Sequence, residues 1–474
     1  MTKKQPDGDF LRVAVSFKES CYFMKFLSLP KEARFSNKYI MMFLLPVIFE
    51  QLMVAGLTMA DTLMVSKLGE TAVAGVALVS RIDNFAKQFF VALAQGGTVI
   101  LAQYIGAEDM ENAKKSLRDN LRIVVGIGLL IMAVMVFFKN GVLNLLFGGA
   151  EKDVLGYSST YFTYTALSYP FVALYYGVSA TFRAMGESKI PFYSSIAMML
   201  FNLALKYIFI FHLNMGVMGA ALSTLIAMAT VGIVLLFMLY GHHNKVRLSG
   251  FFKFNFDGKM AGRILKVSVP NGIEQGMFQL GALLIAGLVS GLGAASIAAD
   301  HYARTISPLM HCIGGAFNAV TIVIIGQCMG AGKPDEAKFY VKHILKIDYI
   351  MTTAAVVLCL IFVKPLIALF DGTAEAQKLA FQILLLYGIC SCFFYPTSFA
   401  LASALRGTGD TKFVMVIATL SMFLFRIGAA YIFVHVFNMG VLGTWVAMVS
   451  DWLIRSIIFF IRYKSGKWKQ NKVI

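Results

Sequence analysis

The chain has 474 residues, of which 58% are hydrophobic and 14% are charged, and its mean hydropathy is +0.73. Soluble domains are nearer half apolar and a quarter charged, so this composition excludes an ordinary soluble protein and indicates lipid as the solvent. The formal net charge of +17 does not predict a nucleic-acid partner. The basic residues lie between apolar segments and do not form a basic domain.

The N-terminal residues 1–38 are predicted to form a cytoplasmic basic arm. The short apolar run in this arm is interrupted by Lys25, and no small-residue cleavage site follows, so it is not a cleavable signal peptide. We expect the arm to lie on anionic lipid. The six cysteines of the chain lack zinc-finger spacing and fall mostly in apolar runs, so neither a disulfide nor a metal site is predicted.

Twelve apolar segments are long enough to cross a bilayer, which takes roughly 20 residues. Their continuous apolar runs lack the period of two that a β-barrel strand shows, so they are predicted to be helices. The predicted spans are 39–65, 76–104, 117–138, 156–182, 190–212, 216–241, 267–290, 297–325, 343–363, 379–404, 413–436 and 440–461.

The loops between these spans alternate in charge. One set, which includes both termini, holds most of the lysines and arginines. The other set holds only Lys67, Lys139, Lys152, Lys364 and Lys378. The positive-inside rule therefore predicts that both termini are cytoplasmic, in agreement with an even number of spans.

The sequence repeats itself in its second half. LPVIFEQ at 45–51 aligns with VPNGIEQ at 269–275, an offset of 224 (269 − 45). Three further patches follow in the same order: AQYIGAEDMENAKK with GQCMGAGKPDEAKF, RAMGESK with RGTGDTK, and LNMGVMG with FNMGVLG. An offset of six spans predicts two six-helix lobes of the same topology, related by an axis along the membrane normal.

The chain is accordingly predicted to be an all-α integral membrane protein of twelve transmembrane helices in two pseudo-symmetric lobes. Its predicted parts are the arm 1–38, the N-lobe 39–241, a cytoplasmic linker 242–266, the C-lobe 267–461 and a basic tail 462–474. The linker, with Phe251, Phe252, Phe254 and Phe256 among lysines, is either a strand-like or interfacial stretch or a plain solvated connection. A cavity between two such lobes can open to alternate sides of the membrane.

The repeated patches resemble the multidrug and toxic compound extrusion (MATE) family over about 38–465. The resemblance rests on LPVIFEQLMVAGLTMADTLMVSKLG, AQYIGAEDMENAKK, RAMGESKIPF, VPNGIEQ, RGTGDTKF, MFLFRIGAAY and GVLGTWVAMVSDWLIRSIIFFIRYKSGKW. It implies export of small organic, often cationic, drugs or metabolites, driven by protons or sodium ions. It also implies a role for the aspartate at Asp61, which would serve the coupling cation or the substrate.

Lys206 departs from the pattern of the family. The fifth span of relatives often carries an asparagine followed four residues later by an aspartate; here Asn202 is kept and Lys206 takes the aspartate position. Because Asp61 and Lys206 lie at similar depth, we predict that they pair and that Lys206 fills the space of a sodium ion. The alternative is a lysine that reaches the outer interface.

Glu50 and its repeat mate Glu274 each follow a proline by four residues, which suits a mobile, protonatable site at a helix bend. The adjacent Gln51 and Gln275 are included in this candidate site. The alternative for Glu50 is a structural pair with a nearby lysine or arginine. Charged groups inside a membrane are costly and therefore candidates for function.

Arg426, at the repeat position of Asn202, is the last candidate. A buried guanidinium needs a partner. Glu274 is the first choice and Asp451 the second, and a structural pair within the lobe is favoured over a substrate contact.

No ATP-binding or hydrolase motif appears: GAGKP at 330–334 lacks the first glycine and the serine or threonine of a P-loop. The predicted function is therefore a secondary efflux antiporter of the cell membrane, not an enzyme. It is expected to be a monomer, with no cofactor beyond the coupling ion H⁺ or Na⁺. A lipid-linked oligosaccharide flippase of the same superfamily is the alternative.

Overall fold

Long helices make up almost all of the described part of the chain. The structure is a computed structural model that describes residues 34–147, 149, 151–241, 244–251, 257–370, 372–471 and 473–474. Most of the predicted N-terminal arm, and the linker residues Phe252, Phe254 and Phe256, lie outside the described residues. Within the described ranges every regular element is a helix, which confirms the predicted all-α fold.

Twelve long helices follow one another in the described chain. They are α1 Asn37–Ser66, α2 Glu70–Gly106, α3 Met110–Phe137, α4 Lys152–Ala184, α5 Lys189–His212, α6 Gly216–Met238, α7 Gly258–Ser290, α8 Ala294–Gly330, α9 Pro334–Ile361, α10 Ala374–Gly407, α11 Thr411–His435 and α12 Gly440–Lys464. The end of α5 (Ile208–His212) and the middle of α11 (Met422–Gly428) are π-helical. Two short helices, Lys139–Phe147 and Val363–Ala368, follow α3 and α9 and were not predicted.

Eleven of these helices, counted over the described residues, have the length and hydropathy of a membrane span. The exception is α4, which is 33 residues long but rich in tyrosine, serine and threonine. It packs against α2, α3 and α6, and most of its second half is buried. The interior position of α4 lets it carry polar side chains that a lipid-facing helix would not.

Helix caps explain where the predicted boundaries differ. Helix α7 begins at Gly258, nine residues before the predicted start at 267, so the C-lobe takes in part of the predicted linker. The Asp257 carboxylate accepts from the backbone N–H groups of Lys259 and Met260 and caps this helix. A hydropathy profile does not detect a polar helix start such as this one. The capping side chain nevertheless satisfies the free N–H groups of the first turn.

The repeated NMG patches form the same turn in both halves. Asn214 and Asn438, 224 residues apart, both have positive φ (49° and 51°), and so do Gly216 and Gly440 (57° and 56°). Asparagine and glycine are the residues that adopt this conformation at least cost. The turns join α5 to α6 and α11 to α12, so the sequence repeat reflects a shared backbone requirement.

Helices α1–α6 form the N-lobe and α7–α12 form the C-lobe. The lobes meet through the first half of α1 and α7 and the second half of α2 and α8. Phe43 and Ile48 of α1 pack with Ile324 of α8 in one cluster, and Ser268 of α7 donates to the carbonyl oxygen of Leu93 on α2 at 3.0 Å. The lobes are therefore joined at one end of the bundle.

The residues after α12 fold back onto this joined end. A 3₁₀ turn at Lys467–Gln470 buries Trp468, whose indole N–H donates to the carbonyl oxygen of Tyr463 at 2.9 Å. Beyond the turn, Val473 and Ile474 pack against a hydrophobic cluster that contains residues of both lobes, among them Leu101 and Ile264. The predicted basic tail is thus a packed segment that links the two lobes.

Candidate functional site

The predicted ion pair of the N-lobe is present. Lys206 Nζ on α5 donates to Asp61 Oδ1 on α1. The Lys206 side chain is 1% exposed, whereas that of Asp61 is 39% exposed. The lysine is therefore buried against the carboxylate, and the alternative of a lysine that reaches the outer interface is wrong.

Asn202 lies one helical turn before Lys206 on the same face of α5. Its side-chain amide donates to Thr224 Oγ1 on α6 at 3.2 Å. Asp61, Lys206, Asn202 and Thr224 thus form one polar group in the N-lobe. In the described ranges, no set of three or more His, Cys, Asp or Glu side chains could hold a metal ion.

Glu50 and Glu274 each form an ion pair with an arginine at the end of another helix. Arg183 Nη2 lies 2.6 Å and 2.8 Å from the two carboxylate oxygens of Glu50, and Arg406 Nη2 lies 2.6 Å from Glu274 Oε1. Both carboxylates are buried. For Glu50 the structure therefore contains the ion-paired alternative, and both lobes hold the same pair.

The two glutamines of this candidate site lie beside the ion pairs and not within them. Gln51 is on the exposed side of α1, and Gln275 is partly exposed on α7. The sequence reasoning included these residues because they recur in both halves. It missed Arg183 and Arg406, although RAMGESK and RGTGDTK recur in the same way.

The predicted pairing of Arg426 with Glu274 is wrong. Glu274 is taken by Arg406, and Asp451, the second choice, lies 3.7 Å from Arg455 and accepts from Ser421 at 2.5 Å. The Arg426 guanidinium donates to Met448 Sδ at 3.0 Å and stands 6.0 Å from the ring of Phe278. Because Phe278 lies four residues beyond Glu274, Arg426 sits about 6 Å further along α7 than predicted.

A symmetric set of hydrogen bonds joins the lobes, which we call the lobe seal. Gln103 Nε2 on α2 donates to the carbonyl oxygen of Gly407 at 3.1 Å, and Gln327 Nε2 on α8 donates to that of Ala184 at 2.9 Å. Each glutamine thus caps a helix end in the opposite lobe. Close by, a Cβ on Gly106 would collide with the backbone of Gln327, and a Cβ on Gly330 with that of Gln103.

Comparison with known proteins agrees with this duplicated arrangement. The MatE family model matches the chain twice, at residues 46–208 and 270–432. The two matches begin 224 residues apart (270 − 46) and together span more than half of the chain. The chain belongs to the MatE family.

Curated relatives of this MatE chain are transporters by name. An uncharacterized transporter, YisQ of Bacillus subtilis strain 168, is 27% identical over 87% of this chain and 90% of its own length. A probable multidrug resistance protein, NorM of Thermotoga maritima, is 23% identical over 91% and 92%. These similarities do not favour the flippase alternative.

Solved structures share the fold of this MatE chain. A multidrug resistance MATE family transporter of the MOP superfamily, solved in an outward-facing conformation, superposes with a TM-score of 0.84. It is 19% identical and covers 92% of this chain and 97% of its own. The predicted architecture of twelve transmembrane helices in two lobes is confirmed.

Removing the lobe seal is expected to separate the lobes of this MatE protein at their joined end. The double variant Gln103→Leu with Gln327→Leu loses two hydrogen bonds that contribute about 0.5–1.5 kcal/mol each. The population of the closed state should therefore fall roughly tenfold relative to that of the open state. Spin labels are placed at positions 108 and 333 in a cysteine-free background. Double electron–electron resonance should then show an additional population with a longer distance between the two labels.

Gln377→Leu is the matched control for the seal. Gln377 Nε2 also donates to a backbone carbonyl oxygen, that of Phe370 at 3.3 Å, but within one lobe. This variant should leave the distance distribution unchanged. If the double variant also kept the wild-type distribution, the two glutamines would not hold the lobes together.

Proposed function

We propose that this chain is an efflux antiporter that exports small amphipathic organic molecules in exchange for protons or sodium ions. The observation that carries the proposal is the lobe seal, in which two repeat-related glutamines join the lobes at one end only. Two rigid lobes held this way can rock about their contact and expose a shared cavity to either side.

The orientation follows from the charged loops. The joined end carries the loops that hold most of the lysines and arginines, so it faces the cytoplasm, together with both termini. The arrangement is then closed to the cytoplasm, with Asp61 and Lys206 on the outer side of the seal. The protein acts as a monomer within the lipid bilayer of the cell membrane, needs no cofactor and does not bind nucleic acid.

The membrane potential can supply enough free energy to drive the export of such a substrate. One elementary charge that enters at a membrane potential of 100 mV supplies about 2.3 kcal/mol, enough for roughly fiftyfold accumulation of a substrate. Ionisable groups inside the spans are needed to bind the entering ion. Asp61, Glu50 and Glu274 are such groups on the helices that border the lobe contact.

The test is dye transport into proteoliposomes under separately imposed proton and sodium gradients. Ethidium should accumulate against its gradient under at least one of them, and protein-free vesicles should not accumulate it. Absence of accumulation under both gradients, with correctly folded protein, would remove the proposal.

Arg426 favours a second candidate for the charge of the substrate, namely an organic molecule that carries a carboxylate or phosphate. Arg426 is partly exposed, and among the described residues no carboxylate lies within ion-pairing distance of it. Guanidinium groups bind such anions through paired hydrogen bonds. The aromatic ring of Phe278 beside it would suit the apolar part of the same molecule.

Arg426→Gln separates the two substrate classes. If the anion candidate holds, binding of carboxyfluorescein to purified protein should weaken tenfold or more, since a hydrogen bond to a charged group contributes about 1.5–3 kcal/mol. Ethidium binding should not weaken. Arg81→Gln, which removes an exposed arginine of α2, is the control for loss of charge alone. Unchanged carboxyfluorescein binding in Arg426→Gln would exclude the anion candidate.

A further inference from the structure

Asp348, in the middle of α9, differs from the other buried carboxylates of the described chain. Seven others have a lysine or arginine within 4.0 Å, namely Glu50, Asp83, Asp119, Glu274, Asp300, Asp410 and Asp451. Asp348 is 0% exposed and has no such partner among the described residues. Its Oδ1 accepts from Thr352 Oγ1 at 2.7 Å, and its Oδ2 has no hydrogen-bond partner.

Asp348 lies among α8, α9 and α10, which pack against each other here, and we call its buried surroundings the Asp348 pocket. The titratable groups close enough to Asp348 to interact with it electrostatically are Tyr349 of its own helix and Tyr395 of α10. Behind Tyr395, the ring of His311 on α8 stacks at 3.9 Å. None of these three groups is a permanent cation.

The walls of the pocket are built for this arrangement. A Cβ on Gly314 would collide with the Tyr395 ring and lie 3.4 Å from Thr352 Oγ1, so the glycine makes room for the tyrosine. Asn318, one turn further along α8, interacts with Tyr395, and its Oδ1 is a buried acceptor without a donor. Asp348 Oδ2 and Asn318 Oδ1, two buried oxygen atoms that both lie near Tyr395, therefore have no hydrogen-bond partner.

A charged carboxylate without a counter-charge is unstable in these buried surroundings. Its burial without a counter-charge costs several kcal/mol, and a single hydrogen bond from Thr352 does not offset that cost. A bound cation would need several more oxygen ligands than the pocket offers. A proton needs only one oxygen, and its binding removes the charge whose burial is costly.

We infer that Asp348 is a proton-binding site of the C-lobe, which holds the proton in the Asp348 pocket and releases it when the pocket opens to water. This inference rests on the proposed antiport function. Release breaks one O–H bond, transfers H⁺ to water and leaves the carboxylate, with no other bond changed. Pro308 in α8 and Pro396 in α10 each remove a backbone hydrogen bond beside the pocket, so both walls can bend to admit water.

Infrared spectroscopy of the purified protein in lipid nanodiscs tests the protonation without transport. The wild type at neutral pH should show a carboxylic-acid C=O band that shifts with ¹³C-labelled aspartate and is absent in Asp348→Asn. Asp119→Asn is the matched control, because Asp119 is equally buried but paired with Arg118 and Arg122. A band that persists in Asp348→Asn, or that disappears in Asp119→Asn, overturns the inference.

Transport in proteoliposomes tests the use of this proton. Asp348→Asn, which mimics the neutral form, should lose up to roughly fiftyfold of the ethidium accumulation driven by a proton gradient. The variant should still bind ethidium and exchange internal for external ethidium, because neither process requires net proton transfer across the membrane. Retention of proton-driven accumulation, or a loss confined to sodium-driven accumulation, overturns the inference. If the wild type accumulates no ethidium under any gradient, the antiport proposal fails instead, and the infrared result still decides the state of Asp348.

Discussion

Lys206→Asp is expected to create a sodium site in the N-lobe that the unmodified chain lacks. The substitution replaces a buried ammonium with a second carboxylate beside Asp61, and Asn202 and Thr224 offer further oxygen atoms. Hard oxygen ligands with negative charge are what small cations require. At a sodium concentration of 100 times Kd, bound sodium would stabilise the folded protein by about 2.7 kcal/mol.

The measurement is the unfolding temperature of the purified variant in sodium and in choline chloride at equal ionic strength, followed by sodium-driven dye transport. Lys206→Gln is the matched control, since it removes the ammonium without adding a carboxylate. The wild type and Lys206→Gln should show a weaker sodium effect than Lys206→Asp. Identical sodium dependence in wild type and Lys206→Asp would contradict the view that Lys206 occupies the place of a sodium ion.

Arg406→Leu is expected to produce the largest loss of stability among single substitutions at the candidate site. It leaves Glu274, whose side chain is 4% exposed, as an unpaired charge in the C-lobe. Removal of one partner from a buried ion pair costs about 3–5 kcal/mol. The combined variant Arg406→Leu with Glu274→Gln should recover most of that loss, because no unpaired charge remains.

The N-lobe supplies an internal comparison for this result. Arg183→Leu should be less damaging, since Arg183 and Glu50 are 22% and 9% exposed, against 15% and 4% for the pair in the C-lobe. Equilibrium unfolding in mixed micelles measures the stability of the wild type and of all three variants. Equal stability of Arg406→Leu and the combined variant would show that the lost contacts of arginine, and not the stranded carboxylate, set the cost.

Most of the fold could be predicted because hydropathy indicates the membrane spans and the internal repeat indicates the two lobes. Membrane spans leave long apolar runs, and the duplicated turns at Asn214 and Asn438 leave the same letters in both halves. The short helices after α3 and α9 were missed because they are too brief to leave a periodic pattern. The early start of α7 was missed because the helix cap at Asp257 is polar.

A contact of the candidate site could be predicted where the depth of two residues along their helices was enough to identify them as partners. Asp61 and Lys206 lie at similar depth on neighbouring helices, so their pairing followed. Arg426 could not be placed in this way, because one helical turn separates a contact with Glu274 from one with Phe278, and the π-helical stretch Met422–Gly428 disturbs the register.

Two features of the site carried a signal that was not used. Gln103 and Gln327 occupy the same position of a repeated patch, as do Arg183 and Arg406, and each pair makes the same kind of contact in both halves. Asp348 has no mate, since Val124 stands at the corresponding position. Repetition therefore could not identify it, and the absence of a counter-charge was visible only in three dimensions.

The segment around Trp468 has a bearing on how the protein is handled and recognised. Since Val473 and Ile474 pack against a cluster that contains residues of both lobes, separating the lobes at their joined end would disturb the contacts of this segment. An affinity tag, an antibody fragment or anionic headgroups bound to Lys467 and Lys469 would hold this segment away from the lobes and so favour the form that is open at the joined end. The choice of fusion site thus biases the conformation that is isolated.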